Sequence, residues 1–279
     1  MRAYLVDRLP RVDPARIDAM LAEERFVGAN GPFTAGSPYL PGGFVWFHRD
    51  LPDEVPVPFE VGIVHRDEYI VVADKPHFLS TIPRGQHVAE TALVRLRTRL
   101  RLPDLVPAHR LDRPTAGLVL FVVRPEVRGR YQTLFKDRLV HKEYEAVAPY
   151  RPDLALPTVV RSRIVKERGV ITAREVPGEP NAETRVALLG HREDSGGLAR
   201  YHLLPTTGRT HQLRLHMCGL GVPILGDPFY PVLEDRPLDD FTNPLQLLAK
   251  VLAFDDPITG EPRRFESRLR LAAWDPAGR

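Results

Sequence analysis

The sequence predicts an α+β fold: one large, mixed, mainly antiparallel β-sheet flanked by helices, with a small N-terminal α/β appendage. Two observations carry that prediction. Most segments beyond residue 140 read as strands, and neither a strict alternation of strand and helix nor an internal repeat runs through the chain. A third observation sets off the first fifty residues: prolines at 52, 56 and 58 interrupt the chain where neither a helix nor a central strand can propagate. The expected organisation is therefore a small module over 1–50, a semi-rigid connector over 51–59 and the main domain over 60–279.

In chain order, a short helix is expected over 3–9. A second runs from Asp13 to about residue 25, with Asp13 as N-cap and Pro14 at the first helical position, where a missing N–H costs nothing. A turn at Gly28-Ala29-Asn30-Gly31 and a strand near 44–48 complete the module. The main domain opens with strands over 61–65 and 69–74 and a helix over 90–100. That helix places Leu93, Leu96 and Leu100 on one face and leaves Arg95, Arg97, Arg99 and Arg101 to point outward. A strand over 117–123 and a helix over 125–139 follow. Strands are then expected over 142–148, 159–165, 182–189 and 200–204, a helix over 211–220, and closing strands over 250–254 and 262–266.

Composition excludes several classes. With 43% hydrophobic and 27% charged residues the chain falls in the range of soluble globular proteins, and no apolar run approaches the roughly 20 residues of a membrane span. The first residues, Met1-Arg2-Ala3-Tyr4-Leu5-Val6-Asp7-Arg8, lack the apolar core of a secretory signal, so a cytoplasmic location is expected. The single cysteine, Cys218, admits neither an internal disulfide nor a multi-cysteine zinc site and reads as a small core residue. The 39 Lys and Arg nearly cancel the 36 Asp and Glu, for a net charge of +3. Their distribution is uneven: residues 95–142 hold twelve Lys and Arg against four acids. Such a run suits a phosphate backbone, or is simply a solvated face.

Inside that run lies His109-Arg110-Leu111-Asp112-Arg113-Pro114-Thr115-Ala116-Gly117, a loop before an apolar strand with one acid among three basic side chains. A carboxylate so surrounded is expected to stay ionised, as a nucleophile must. On composition alone a structural salt bridge is the commoner explanation. A second polar string, Thr207-Gly208-Arg209-Thr210-His211-Gln212-Leu213-Arg214-Leu215-His216, is a glycine turn opening a helix. By itself it also fits a helix N-terminus that holds a generic phosphate.

Taken together, these strings resemble the RluA-like family of RNA pseudouridine synthases, whose signature is His-Arg-Leu-Asp followed two residues later by Thr-Ser-Gly. Asp74-Lys75-Pro76, Lys142-Glu143-Tyr144-Glu145-Ala146, the Thr207 string and Gly221-Val222-Pro223-Ile224-Leu225-Gly226-Asp227-Pro228-Phe229-Tyr230 match in order. The resemblance covers about residues 61–266 and implies that family's bent sheet. The first fifty residues loosely resemble the alpha-L RNA-binding module that often precedes it, although they are poor in basic residues.

The resemblance implies an enzyme that isomerises uridines of ribosomal or transfer RNA, with Asp112 as catalytic carboxylate. Tyr144 would be the active-site tyrosine that stacks on the base and relays a proton; the lesser alternative is a half-buried strand aromatic. Arg214 would fix the carboxylate with a planar fork that Lys cannot copy, so an Asp112 to Arg214 ion pair is expected. Arg110 would occupy the space left by the extruded nucleotide. Arg209, His211 and Gln212 are expected as RNA-binding residues; His109, as a loop histidine, is expected to order the backbone through hydrogen bonds rather than to act as acid or base. RNA is the expected partner and a monomer the expected state, with neither a metal nor an organic cofactor.

Four positions depart from the family's pattern: Ala116 for the usual Ser, Phe78 for Gly, Leu248 for a common His, and Phe265-Glu266-Ser267-Arg268 for a proline-containing ending. At Phe78 the expectation is a reshaped pocket rim, since a large aromatic resists the positive φ that Gly tolerates. The alternative function is a noncatalytic RNA-binding protein that keeps the fold. A zinc nucleobase deaminase is excluded by the missing ligand motif, and a P-loop nucleotidase by the missing Gly-x-x-x-x-Gly-Lys loop.

Overall fold

In the computed structural model, which describes the chain apart from residues 11, 48–49, 51–52, 86, 193–196 and 276–279, contacts divide the protein into Met1–Asp53 and Glu54–Arg279. In the first unit, α1 (Arg2–Arg8) and α2 (Pro14–Ala22) pack around Leu5, Ile17, Met20, Leu21 and Phe26. Asp13 accepts a hydrogen bond from the Ala15 N–H at 2.7 Å, and Pro14 fills the first turn, so the cap is the one its residues dictate. Strands β1 (Phe26–Gly28), β2 (Gly31–Pro32) and β3 (Trp46–Phe47) form an antiparallel sheet in the order β2-β1-β3. Helix α2 stops three residues short of expectation, and the strand expected over 44–48 shrinks to two residues. His48 at its end, like Leu51 and Pro52 of the connector, lies outside the described residues.

The second unit starts with β4 (Gly62–Arg66), β5 (Ile70–Lys75), α3 (Ala92–Leu100), β6 (Val106–Pro107), β7 (Ala116–Val122) and α4 (Arg128–Lys136). It continues through β8 (His141–Pro149), β9 (Thr158–Val165), β10 (Arg174–Val176), β11 (Ala182–Arg192), β12 (Leu198–Pro205), α5 (Gln212–Gly219), β13 (Leu247–Asp255) and β14 (Pro262–Glu266). Among the described residues the strands form one eleven-stranded sheet in the order β10-β9-β11-β12-β8-β13-β7-β5-β4, with β14 beside β13 and β6 beside β7. The pairing is antiparallel except between β13 and β7, so the mixed, mainly antiparallel α+β architecture stands as expected. Strands β5 and β7 are buried along their whole length, as their Val, Ile and Leu runs require of central strands covered on both faces. The short β6 and β10 have no counterpart in the sequence-based reading, and the helix expected over 125–139 is a 3-10 turn at Pro125–Val127 followed by α4. No helix among the described residues is long and apolar enough to cross a membrane.

Thr91 caps α3 by accepting from the Val94 N–H at 3.2 Å, and Leu93 and Leu96 turn into the core as the periodicity predicts. Its arginines do something other than expected. Arg95 donates to the carbonyls of Val57 and Phe59, Arg99 to that of Val61 and Arg97 to that of Leu105. Val57, Phe59 and Val61 lie before β4 and outside any strand, so their carbonyls find the guanidinium groups of Arg95 and Arg99 instead. Part of the basic run thus straps chain to chain.

Candidate active site

The loop that carries Asp112 lies between β6 and β7 and is held by its backbone. Thr81 Oγ1 donates to the Leu111 carbonyl at 2.8 Å and accepts from the Leu111 N–H at 3.1 Å. Lys75 Nζ, fully buried at the end of β5, donates to the carbonyls of Pro76, Leu79 and Arg113 at 2.9, 2.8 and 3.3 Å. His77 Nδ1 donates to the Pro114 carbonyl at 2.8 Å. Three side chains from residues 75–81 therefore fix the carbonyls of residues 111, 113 and 114 around Asp112. Burial pushes the Lys75 ammonium down to about 7, with the Asp112 charge acting against it, and burial likewise takes His77 down to about 4. Beneath, the carboxylate of Asp74 accepts from Ser267 Oγ and the Arg268 N–H, both at 2.7 Å. The departing sequence Ser267-Arg268 thereby closes the chain end onto the strand that presents Lys75.

His109 orders the loop as expected. Its Nε2 accepts from the Leu120 N–H at 3.1 Å and its ring stacks on Phe135 at 4.3 Å. Behind the loop, Gly117 has φ +111, and a Cβ there would stand 2.3 Å from the Ala249 carbonyl oxygen, so only glycine lets β7 approach β13. Two of the departures explain each other. Ala116 and Leu248 are Cα partners in that parallel pairing, both buried, in one apolar cluster with Val147 and Leu271. Where the family's pattern has Ser and His, this chain pairs two apolar side chains, which leaves no polar group stranded there.

Arg214 rises from α5 with its side chain 1% exposed, while Asp112 is 33% exposed and open to a substrate. The guanidinium meets Asp112 as expected, Nη1 lying 3.6 Å from Oδ2, but its strongest partner is another acid. Nε and Nη2 donate to the two oxygens of buried Asp227 at 2.8 and 2.5 Å, and the guanidinium stacks over Phe229 at 4.6 Å. Asp227 also accepts from the N–H groups of Phe229 and Tyr230. The motif that contains Asp227 gives it no role from sequence; an acid in a tight Gly-Asp-Pro turn is the signal that was available.

Tyr144 sits on β8 between Leu203 of β12 and Ala249 of β13 and packs against the core clusters on both sides. Among the described residues its hydroxyl makes no hydrogen bond. Burial, and behind it the charge of Asp112, raises the phenol above the ordinary tyrosine range, so it keeps its proton.

The remaining site candidates separate. Arg110 is exposed and makes no ion pair among the described residues; Arg209 is exposed and donates to the Asn181 carbonyl at 3.1 Å. His211 is buried, with Nε2 3.9 Å from Asp112 Oδ2, and burial pushes it down to about 4. Gln212, expected among the RNA-binding residues, is buried and braces the loop. Its Oε1 accepts from Thr207 Oγ1 and the Arg209 N–H, and its Nε2 donates to the Glu183 carbonyl and Thr184 Oγ1, which uses both lone pairs and both protons. Phe78 corrects the expectation that a large aromatic resists positive φ: it adopts φ +64, and its ring joins those of Phe59 and Phe241 in one cluster whose contacts favour that conformation.

The family model described as RNA pseudouridylate synthase matches residues 69–218. The dual-specificity RNA pseudouridine synthase RluA of Pasteurella multocida is 36% identical over 214 residues, 71% of this chain and 89% of that protein. Its namesake from Haemophilus influenzae is 30% identical over 227 residues, 74% and 92% of the two chains. Among solved structures, human RNA pseudouridylate synthase domain containing 4 superposes with a TM-score of 0.58 at 27% identity, over 75% of this chain and 88% of that one.

Proposed function

The chain belongs to the RNA pseudouridylate synthase family, and from that membership we propose that it isomerises uridines of ribosomal or transfer RNA through Asp112. One observation carries the assignment of Asp112: a partly exposed carboxylate lies against an Arg214 guanidinium that is itself locked by Asp227, on a loop whose carbonyls are clamped from beneath. Such preorganisation favours charge developing at a reacting centre and needs no rearrangement during reaction.

Pseudouridine formation cuts the bond from uracil N1 to the anomeric carbon, turns the base in place and rejoins it through C5. The C5 proton leaves and N1 gains one. Asp112 acts at the ribose, either as nucleophile at the anomeric carbon or as the group that assists departure of uracil. Tyr144, a neutral phenol, stacks on the base and relays a proton, while Arg214 holds the carboxylate. Arg110 and Arg209 contact phosphate or fill the space of the extruded nucleotide. All three catalytic groups come from one chain, which supports a monomeric enzyme, and an RNA substrate supports a cytoplasmic location.

The deciding experiment is Asp112→Asn, nearly isosteric but not nucleophilic. Uridine isomerisation should vanish while RNA binding stays within a few fold of the unaltered protein. Undiminished turnover would overturn the assignment. An unaltered protein that binds RNA and modifies none would favour the noncatalytic alternative.

A further inference from the structure

His211 precedes α5 in the left-handed region, with φ +57, a conformation that costs a non-glycine residue free energy and is kept where the surroundings demand it. Its tautomer follows from its neighbour. Tyr230 Oη has one proton, which it donates to the Ala173 carbonyl at 2.8 Å; the same oxygen accepts from the Ala173 N–H at 2.9 Å. The 2.8 Å contact between Tyr230 Oη and His211 Nδ1 therefore has the imidazole as donor. With Nδ1 protonated and the ring kept neutral by burial, Nε2 is a bare lone pair. It lies 3.9 Å from Asp112 Oδ2, beyond hydrogen-bonding distance. Arg214 Nη1 approaches the same oxygen to 3.6 Å, is buried, and makes no hydrogen bond. One unpartnered acceptor and one unpartnered donor thus converge on a single carboxylate oxygen.

We infer that these two groups receive the 2′-hydroxyl of the target ribose, which donates to His211 Nε2 and accepts from Arg214 Nη1. A hydroxyl supplies both halves of that pair from one oxygen, as two groups converging on one point require, whereas uracil would need two separate groups, N3–H to donate and a carbonyl to accept. The position agrees: if Asp112 acts at the anomeric carbon, the nearest hydroxyl is on the adjacent ribose carbon. The inference rests on the proposed role of Asp112 and makes His211 the residue that distinguishes RNA from DNA at the reacting nucleotide.

The test uses an RNA stem-loop containing a uridine that the enzyme modifies, synthesised with uridine, 2′-deoxyuridine or 2′-fluoro-2′-deoxyuridine at that position. The fluoro sugar keeps an electronegative substituent but has no proton to donate. Single-turnover rate and dissociation constant are measured for the unaltered protein and for His211→Asn, a side chain that tolerates positive φ and is too short to reach. The unaltered protein should prefer uridine to either analogue by at least about tenfold, and His211→Asn should bring the ratio close to one. Because each ratio is taken within one protein, a loss of folded material cancels. An unchanged ratio in a slower variant, or no preference in the unaltered protein, overturns the inference. Failure of the Asp112 assignment shows separately, as turnover of uridine by Asp112→Asn.

Discussion

Arg214 gives two of its three guanidinium nitrogens to Asp227 and only the third faces Asp112, so one buried cation is shared between a buried carboxylate and the partly exposed one proposed to react. The fork is aimed by Asp227. Removing that aim leaves the arginine free to close on Asp112 and withdraw it from the substrate.

Asp227→Asn should therefore lower both stability and kcat. Breaking a buried, hydrogen-bonded ion pair typically costs about 3 to 5 kcal/mol, here reduced because Asp112 remains as a counter-charge. Denaturant unfolding reads the first effect and single-turnover isomerisation the second. Arg214→Lys should lose more activity than stability, since a lysine keeps the charge but spans only one of the two acids. A lysine variant with full kcat would mean that the charge alone matters.

At the strand junction, Ala116→Ser alone should destabilise by roughly 1 to 3 kcal/mol, because it buries a hydroxyl against Leu248. Combining it with Leu248→His should recover part of that loss. A double-mutant cycle by urea unfolding measures the coupling, which should be favourable by about 0.5 kcal/mol or more. Simple additivity would mean that the two departures are independent.

Gly117→Ala should be far more damaging than its one added methyl suggests. Its Cβ would collide with the backbone of Ala249 at a positive φ, and the loss should exceed about 3 kcal/mol, visible as a lowered thermal midpoint or insoluble protein.

Acid should loosen the fold ahead of the chemistry. His77 and His211 are held near 4 and His109 near 3, all by burial, against about 6.5 in an unfolded chain. Between these values the unfolded state binds protons that the folded state refuses. Stability is thus fully present above pH 6.5 and falls as the pH drops toward 4, by up to ~1.4 kcal/mol per pH unit for each histidine. Denaturant midpoints at pH 7, 6 and 5 should decline in that order.

Local chemistry made much of this legible in the sequence. Asp13-Pro14 marked a helix start, apolar runs marked β5 and β7, and the string around Asp112 marked the loop. What remained hidden depends on groups distant in sequence. Arg95 looks free until the carbonyls of Val57 and Phe59 arrive beside it, and Gln212 looks available until Glu183 and Thr184 take its amide protons. Phe78 at positive φ escaped a rule about intrinsic preference because tertiary contacts with Phe59 and Phe241 outweigh it. Asp227 gave a turn signal, but only the folded chain shows which cation it serves.

The place of β13 has a consequence for synthesis. It lies between β7, which follows the Asp112 loop, and β8, which carries Tyr144, yet it begins only at Leu247. On the ribosome the edge of β8 and the first residues of β7 must therefore wait for that strand to emerge before the sheet is joined across it. Until then β13 does not hold Tyr144 beside the Asp112 loop, and the open edges are at their most exposed to aggregation.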